Sequence, residues 1–471
     1  MIRIIFYSVM SIQYSSRDNI VQDLSVVQEN KELFGEIFTP FCLVDEMLDL
    51  LPVSAFRDPT KQWLDSGAGT GFFSMVLYWR LMEGLEHCMP DSEERHRHII
   101  RNMIFMSEIR EENADKIYAT FGDDCNLSFG DFLDVGMKVD FVIGNPPYNS
   151  GGIKKVPTNS EKNKTHDGKT AWLSFTKHAI GLLREGGNLL YVVPSLWMRK
   201  DRARSYDLLT SYKINKIVCM SNTLTNKYFS GEAQTPTCFF HLVKKPNDYT
   251  TSLFDRDINQ FIDYKYLQGD PLPVYGSSVL SKVKRVSSMP GISFKKTNMP
   301  PKSAIIQPVH SNKTPFANVR TCILDGLDAS LVVDYSDKPL SFHGQKKIIM
   351  AHKMYGFPFI DRNGEYGISN RDNYVILHDD ERVLERIATF FSTKTALYLF
   401  ETTRYRMKYL EKEILGLLPD VGGLISGDWC DELIWDHFAL SEKEIDAVKA
   451  LHSKEYTFKH VGFHAQSSAT S

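Results

Sequence analysis

The sequence predicts an α/β fold with buried parallel strands, followed by a second region of mixed character. Apolar runs alternate with longer helical patterns over residues 35–245, and this alternation is typical of an α/β domain. A glycine-rich loop follows the first of these runs, and a later run ends in Asn-Pro-Pro-Tyr. Residues 250–420 instead mix short strands with turns, and helical patterns return from Asp380 to Leu417.

Length and composition limit the classes of protein to consider. The chain has 471 residues, enough for two or three domains, and a formal net charge of −3, so any surface for nucleic acid must be local. Its seven cysteines form no Cys-x-x-Cys pair, which argues against a zinc site or a disulfide framework and for a reducing compartment such as the cytoplasm. No apolar run is long enough to span a membrane. We expect the apolar start, Met1 to Ile12, to be a leading strand, or Met10 to be an alternative start, rather than a signal peptide.

The first region contains six candidate strands separated by helical patterns. The strands are Trp63–Asp65, Ile104–Ser107, Phe141–Ile143, Leu189–Val193, Lys216–Cys219 and Thr237–Leu242. A helix from Ala171 to Arg184 is expected to end at Gly186-Gly187. Thr39 fits the N-cap of a helix from Phe41 to Leu51, with Pro40 at its first position, and this segment is either ordinary capping or a lid over a ligand.

The tetrad Asn145-Pro146-Pro147-Tyr148 is the most informative part of the sequence. Its two prolines remove two N–H donors and stop the preceding apolar strand. The Asn145 amide and the nearby carbonyls then lie at the carboxyl end of a parallel strand, where open α/β sheets bind ligands. Acceptors beside an aromatic ring suit a planar substrate with an exocyclic amino group. A plain proline-rich turn is the alternative.

A second signal is the segment from Asp65 to Phe73, which reads Asp-Ser-Gly-Ala-Gly-Thr-Gly-Phe-Phe and joins a strand to a helix. Glycines allow a tight turn and a close approach of a ligand to the backbone. Dinucleotide enzymes share such loops, but an acidic residue so close would repel a pyrophosphate and would instead accept from an ammonium group. A plain strand-to-helix turn is the alternative.

Two further acidic residues fit the same ligand, Glu108 at a strand end and Asp131 ahead of the strand that carries the tetrad. Glu108 follows the second apolar run, where a carboxylate suits a ribose diol. Asp131 could accept from an adenine amino group while Phe132 packs on the ring. Taken alone, Glu108 is better explained as a solvated acid at a strand end, and Asp131 is equally well explained as a solvated surface residue.

Together these features resemble the gamma-class N6-adenine DNA methyltransferases. Over roughly residues 35–245 the order and spacing match, from the Phe-Thr-Pro lead-in through the glycine loop to the tetrad, and the stretch from Gly186 to Trp197 also looks like the family. The long stretch from Asp65 to Glu108 departs from the family, because its charged segment 90–101 looks inserted.

The resemblance implies a Rossmann-like class I methyltransferase sheet and a C-terminal α+β DNA target-recognition domain. The chain would then divide into an N-terminal extension (1–34), a catalytic domain (35–247), a target-recognition domain (248–420) and a C-terminal helical segment and tail (421–471). Lys244 to Asp248 is the predicted boundary between the two main domains.

The resemblance also implies the cofactor and the site residues. The cofactor is S-adenosylmethionine, with no metal, and its expected binding residues are Thr39, Asp65, Gly67, Gly69, Glu108, Asp131 and Phe132. The flipped adenine would be held by Asn145, Pro146, Pro147 and Tyr148, with Phe229 as a second aromatic over the base. A core phenylalanine is the alternative for Phe229.

A basic segment in the C-terminal half supplies candidate DNA contacts. Residues 276–320 contain no acidic residue and eight basic ones, which are Lys282, Lys284, Arg285, Lys295, Lys296, Lys302, Lys313 and Arg320. Further basic residues are Lys346, Lys347, Lys353, Arg404, Arg406 and Lys408, and the loop from Asn149 to Lys169 contains lysines that could order over DNA. A solvated basic face and a plain loop are the alternatives.

The favoured hypothesis is a site-specific adenine methyltransferase acting on double-stranded DNA, with a separate cognate restriction endonuclease as an optional partner and no membrane association. One rival uses the same chemistry on RNA adenine or on protein glutamine. A second rival is a DNA-specificity protein with an inactive catalytic core, against which the intact tetrad and glycine loop argue.

Overall fold

The computed structural model describes residues 39–149, 170–229, 235–286, 290–325, 328–352, 358–405 and 410–451. The chain divides into two compact units, residues 1–252 and 253–471. Several positions discussed above lie outside the described residues, namely Met1 to Ile12, the loop 150–169, Lys353, Arg406 and Lys408.

The first unit alternates strands and helices. Its helices are α1 (Phe41–Leu48), α2 (Phe72–Gly84), α3 (Ser92–His98), α4 (Glu111–Phe121), α5 (Trp172–Leu182), α6 (Ser205–Leu209) and α7 (Asn222–Tyr228). Its strands are β1 (Trp63–Asp65), β2 (Ile104–Glu108), β3 (Asn126–Phe129), β4 (Val139–Gly144), β5 (Leu183–Pro194), β6 (Tyr212–Met220) and β7 (Thr237–Pro246). Short 3₁₀ turns lie at Val53–Phe56, Phe132–Asp134 and Ser195–Met198, and a π turn at Ile99–Met103 precedes β2.

These seven strands lie in one sheet in the order β3-β2-β1-β4-β5-β7-β6. β1 pairs in parallel with both β2 and β4, β2 pairs in parallel with β3, and β4 pairs in parallel with β5. β7 is antiparallel to β5 and β6. The chain therefore builds the sheet outward in both directions from β1, as in doubly wound α/β folds.

All six predicted strands are present, and β3 was not predicted. β1 and β4 are apolar over almost their whole length and buried, as strands covered on both faces must be. β3 is a partly exposed edge strand with the sequence Asn-Leu-Ser-Phe, so it lacks the apolar run that identifies a central strand.

Two predicted helix ends were wrong. α1 begins at Phe41 with Pro40 in the N-cap position, no side chain caps it, and it ends at Leu48. α5 ends at Leu182, and the predicted capping glycines 186 and 187 lie inside β5. The pairing of β4 with β5 shifts register there, so that residues 184–187 of β5 lie opposite the single residue Asp140 of β4. The two glycines are therefore part of a bulge-like irregularity in the strand.

β8 (Thr250–Asp255) spans the division between the units, and the second unit contains the remaining elements. Its strands are β9 (Gln260–Lys265), β10 (Lys295–Lys296), β11 (Ile306–Gln307), β12 (Phe316–Asp325), β13 (Asp328–Ser336), β14 (Lys347–Ala351), β15 (Phe359–Asp361), β16 (Gly367–Ile368) and β17 (Asn373–Leu377). Its helices are α8 (Ser277–Val283), α9 (Glu381–Phe391), α10 (Lys394–Glu401), α11 (Lys412–Leu417), α12 (Val421–Leu424), α13 (Asp431–His437) and α14 (Glu442–Ala450).

Two four-stranded sheets organise this unit, in the orders β10-β17-β14-β15 and β11-β13-β12-β16. Val319 and Ile368 from one sheet pack with Ile349 and Val375 from the other in a buried cluster. The two sheets therefore share a core. No helix among the described residues is long and apolar enough to cross a membrane.

Candidate functional site

The candidate site lies at the carboxyl ends of β1 and β4, the neighbouring strands from which the strand order continues in opposite directions. β1 ends at Asp65 and its neighbour β4 ends at Gly144, and the two strands run in parallel with Asp65 opposite Ile143. The loops after them therefore leave the same edge of the sheet. Open α/β sheets bind ligands in the crevice at this position.

The glycine loop after β1 turns sharply into α2. Gly71 has φ +92°, and a Cβ on it would lie 2.9 Å from the ring of Phe121, so both its conformation and its surroundings require glycine. A Cβ on Gly67 would meet no atom within 4 Å. The loop backbone at Gly67 is therefore open on the side where a side chain would stand.

Asp65 is a buried carboxylate with one oxygen left over. It is 1% exposed, and its Oδ2 accepts a hydrogen bond of 3.0 Å from Ser74 Oγ. Its Oδ1 is buried and has no hydrogen-bond partner among the described residues. Burial raises the pKa of the Asp65 carboxyl to about 7, the Ser74 hydrogen bond opposes this shift, and the nearby Glu108 carboxylate adds to it. The unpaired oxygen is therefore a natural partner for a cationic ligand group.

Glu108 at the end of β2 is tied to the glycine loop. Its Oε2 accepts from Gly69 N at 2.8 Å, and its Oε1 accepts from Arg110 N at 2.8 Å. A carboxylate oxygen can accept from more than one donor, and a carboxylate at this position suits a ribose hydroxyl. The next residue, Ile109, is 50% exposed, which leaves an apolar side chain open beside the carboxylate. Ile109 was not among the predicted site residues. Its position directly after an acid at a strand end could have indicated an apolar contact for the same ligand.

Asp131 and Phe132 lie beyond β3, and the preceding Gly130 N donates to Glu108 O at 2.9 Å. Asp131 is exposed, and its Oδ1 accepts from Leu133 N at 2.9 Å. Phe132 is buried, and its ring stacks on Phe175 with centroids 5.3 Å apart. The Phe132 ring is thus used in the core, whereas Ile109, Phe129 and Leu133 are exposed apolar residues near these strand ends.

Gly144, the last residue of β4, directly precedes the tetrad, and a side chain is not accommodated there. Gly144 has φ +150°, and a Cβ on it would lie 2.7 Å from Ser66 Oγ. That hydroxyl accepts a 2.7 Å hydrogen bond from Tyr191 on β5, and Ser66 N donates to Ile143 O at 3.0 Å. These contacts hold the start of the glycine loop directly against the end of β4.

Within the part of the chain that the structure describes, the Asn145 amide is hydrogen-bonded at one end only. Its Nδ2 donates to Thr39 Oγ1 at 3.1 Å, whereas its Oδ1 is buried and has no partner among the described residues. Pro146 is buried beside it, and Pro147 is half-buried. Thr39, expected to cap a helix, is therefore in contact with the tetrad instead.

The two aromatic residues predicted to stack on a base differ in exposure. Tyr148 is half-buried, and its hydroxyl is buried with no partner among the described residues. Burial raises the pKa of its phenol well above the ordinary value. Phe229 is only 2% exposed after α7, which fits the alternative of a core phenylalanine. Its neighbour Tyr228 is half-buried, and its hydroxyl donates to Glu46 Oε1 at 2.6 Å.

The six predicted DNA contacts fall into two groups. Lys282 pairs with Glu444 at 2.6 Å, Arg285 donates to Gly416 O at 2.7 Å, and the Lys284 ammonium bonds to Lys265 O and lies over the Tyr264 ring. These three side chains have structural partners inside the second unit. The side chains of Lys295, Lys296 and Lys302 are exposed.

Other basic residues from the sequence analysis also have internal partners. Lys347 is fully buried and pairs with Asp361 Oδ2 at 2.5 Å, so it cannot contact a phosphate, and including it in the basic set was wrong. Arg320 pairs with Asp334 at 3.4 Å, and Arg404 pairs with Glu401 at 2.7 Å. Lys313 is exposed.

Comparison with known proteins gives a family match within the first unit. Residues 82–224 match the family described as Eco57I restriction-modification methylase. This range includes Glu108, Asp131 and the tetrad, and it begins after the glycine loop. A curated relative, the type II methyltransferase M.PaeR7I of Pseudomonas aeruginosa, is 26% identical over 189 residues, which is 36% of this chain and 33% of the relative. The match thus spans about a third of that relative's length.

Solved structures with similar folds include restriction-modification proteins. The M protein of the type I restriction enzyme EcoKI matches 48% of this chain and 50% of its own, with 16% identity and a TM-score of 0.36. The type IIL restriction-modification enzyme MmeI, solved in complex with DNA, matches 92% of this chain and 78% of its own, with 13% identity and a TM-score of 0.42.

Proposed function

We propose that this protein is a site-specific DNA methyltransferase that transfers a methyl group from S-adenosylmethionine to N6 of an adenine flipped out of duplex DNA. The observation that carries the proposal is the Asn145 amide, whose Oδ1 is a buried acceptor with no partner among the described residues. Such an acceptor fits the N–H of an exocyclic amino group. The family match over residues 82–224 supports the same proposal.

The residues at the ends of β1 and β2 fit the cofactor. The unpaired Oδ1 of Asp65 would accept from the cofactor's ammonium group, and the Glu108 carboxylate would accept from its ribose hydroxyls. Ile109, which is exposed, would pack on the purine while Asp131 accepts from the purine's amino group. The open backbone at Gly67 allows the ligand to lie against the loop. When bound, the cofactor supplies a methyl sulfonium, which is already a strong electrophile.

Asn145 and Pro146 would act on the nucleophile. Adenine N6 is a poor nucleophile because its lone pair is delocalised into the ring. The Asn145 Oδ1 and the Pro146 carbonyl would each accept one N6–H, which favours a more tetrahedral nitrogen with an available lone pair. Catalysis would then depend on positioning and electrostatics, without a protein nucleophile. The proton of N6 would leave after transfer, when the nitrogen has become cationic and acidic.

Tyr148 would hold the base outside the duplex. A base inside the duplex cannot present N6 to the site, so it must rotate out of the stack. Tyr148 follows the two prolines and is a half-buried residue, and its ring would stack on the extruded base. The exposed lysines of the second unit, Lys295, Lys296 and Lys302, would contact phosphates, and we propose this unit as the target-recognition domain.

The test is modification-sensitive long-read sequencing of DNA from a host without adenine methylation that expresses this chain. The control host expresses the Asn145→Ala variant at the same level. We expect N6-methyladenine at one defined sequence with the wild-type chain and none with the variant, while both proteins bind S-adenosylmethionine. Methylation of equal extent in the variant would refute the role of Asn145.

A different result would redirect the assignment. If DNA stays unmodified while the soluble protein binds S-adenosylmethionine, RNA adenine and protein glutamine become the substrates to test, by mass spectrometry of both fractions. If the protein binds DNA but not the cofactor, it is a specificity protein with an inactive core.

A further inference from the structure

Thr39 and Asn145 are 106 residues apart in sequence and are joined by a hydrogen bond. The Thr39 side chain is buried, 6% exposed, just before α1, and Asn145 directly follows β4. The distance from Asn145 Nδ2 to Thr39 Oγ1 is 3.1 Å. The contact therefore connects the segment before α1 to the tetrad.

This hydrogen bond anchors the Asn145 amide through its Nδ2 end. An asparagine amide has a donor end and an acceptor end of nearly equal size, so shape alone does not choose between them. The Thr39 hydroxyl could donate or accept, and in this structure it accepts from Nδ2, which leaves Oδ1, buried and without a partner among the described residues, as the remaining acceptor of the amide. In the opposite orientation, an NH₂ group would face the amino group of the substrate, donor against donor.

We infer that Thr39 is a positioning residue of the methyl transfer, acting through Asn145 by anchoring the amide at its Nδ2 end so that the oxygen remains for the substrate amino group. The inference rests on the proposed function and deepens it. It also changes the expected role of Thr39, because the hydroxyl is engaged with the tetrad rather than reserved for the cofactor.

The experiment compares Thr39→Val with Thr39→Ser. Valine has nearly the shape of threonine but cannot accept the hydrogen bond, and serine keeps the hydroxyl and loses the methyl group. Steady-state and single-turnover rates are measured on a duplex containing the sequence that the wild-type chain methylates, at saturating S-adenosylmethionine. We expect kcat of Thr39→Val to fall by about tenfold to a hundredfold, because the acceptor is no longer held in the productive orientation.

Two further quantities separate positioning from other roles. In Thr39→Val, the KM for the duplex and the Kd for S-adenosylmethionine should stay within about threefold of the wild-type values, because only the reacting geometry is disturbed. Thr39→Ser should keep kcat within about threefold of wild type. If the valine variant does not fold, Thr39→Ala removes the same hydroxyl without adding a second methyl group and replaces it in the comparison.

Each other outcome overturns the inference. An unchanged kcat in Thr39→Val shows that the hydrogen bond is dispensable. A weakened cofactor Kd with an unchanged rate at saturation assigns the hydroxyl to the cofactor. Equal losses in the valine and serine variants would show that the rate does not depend on the hydroxyl specifically. If the wild-type chain itself produces no N6-methyladenine, the proposed function fails first, so the two failures are distinguishable.

Discussion

At the scale of single residues, the hydroxyl and the ring of Tyr148 have different expected importance. The hydroxyl is buried and makes no hydrogen bond among the described residues, so removing it leaves no partner unsatisfied. Tyr148→Phe should therefore keep methyl transfer near the wild-type rate and should not lower the free energy of unfolding. Tyr148→Ala should lose roughly 1–3 kcal/mol of base binding, because the stacking surface is removed.

The measurement for Tyr148 is the Kd of each variant for a duplex with 2-aminopurine at the target position. The fluorescence rise of 2-aminopurine reports the base leaving the stack. A phenylalanine variant as impaired as the alanine variant would show that the hydroxyl has a partner when substrate is bound.

Because the pKa of the Asp65 carboxyl is raised, we expect the affinity for the cofactor to depend on pH. Burial raises the pKa of its carboxyl to about 7, so the group is mostly neutral below that pH and can then no longer pair with an ammonium. Affinity for S-adenosylmethionine should rise as pH increases through 7, by about tenfold from pH 6 to pH 8 relative to Asp65→Asn. The ratio of the two dissociation constants removes the titration of the ligand itself. A ratio that does not change with pH would exclude Asp65 as the partner of the ammonium.

Sequence alone could propose the candidate site residues but not their contacts. Asp65, Glu108 and Asn145 could be predicted because each directly follows an apolar run, and strand ends are where such side chains converge. The hydrogen bond from Asn145 to Thr39 could not, since it joins distant segments. The structural partners of Lys282 and Lys284 could not be predicted either, because a count of basic residues does not show which of them are paired within the protein.

At the scale of elements, the strands that were predicted correctly include the buried central ones, which consist mostly of apolar residues. The central strands β1 and β4 have few polar residues and no other plausible assignment. Prediction failed at edges and ends, as with the polar edge strand β3 and the end of α5, because glycines 186 and 187 signal a helix cap and a strand irregularity equally well.

The junction of β4 with the tetrad should be intolerant of a side chain. In Gly144→Ala, a Cβ would lie 2.7 Å from Ser66 Oγ, which Tyr191 also contacts, and φ is +150°. We expect lower thermal stability and a loss of methyl transfer, because the glycine loop and Asn145 would both shift. Gly181→Ala in α5 is the matched control, since a Cβ there meets no atom within 4 Å.

The control should behave oppositely to the junction variant. Replacing a helical glycine by alanine stabilises by up to about 1 kcal/mol, so Gly181→Ala should melt at the wild-type temperature or above and keep full activity. Thermal unfolding and methylation rates are measured on both variants. Wild-type activity in Gly144→Ala would show that the loop and the tetrad adjust independently.

At the scale of the whole molecule, the low net charge of −3 makes the local arrangement of lysines decisive for DNA binding. Lys295, Lys296 and Lys302 are exposed in a segment without acidic residues, and each would release counterions on contacting a phosphate. Replacing all three by glutamine should weaken DNA binding and lower the slope of log K against log salt concentration by up to about 3.

The matched control removes the same number of charges elsewhere. Lys116, Lys177 and Lys443 are also exposed, and two of them adjoin acidic residues in sequence, so their replacement by glutamine should leave the salt slope unchanged. The slope is obtained from Kd values of one duplex between about 50 and 200 mM salt, the range over which phosphate contacts change affinity strongly. Equal slopes for the two triple variants would mean that binding follows total charge and that the 276–320 segment has no special role. A lower slope only in the first variant would identify this segment as part of the DNA-binding surface, because counterion release counts the phosphates that a protein contacts.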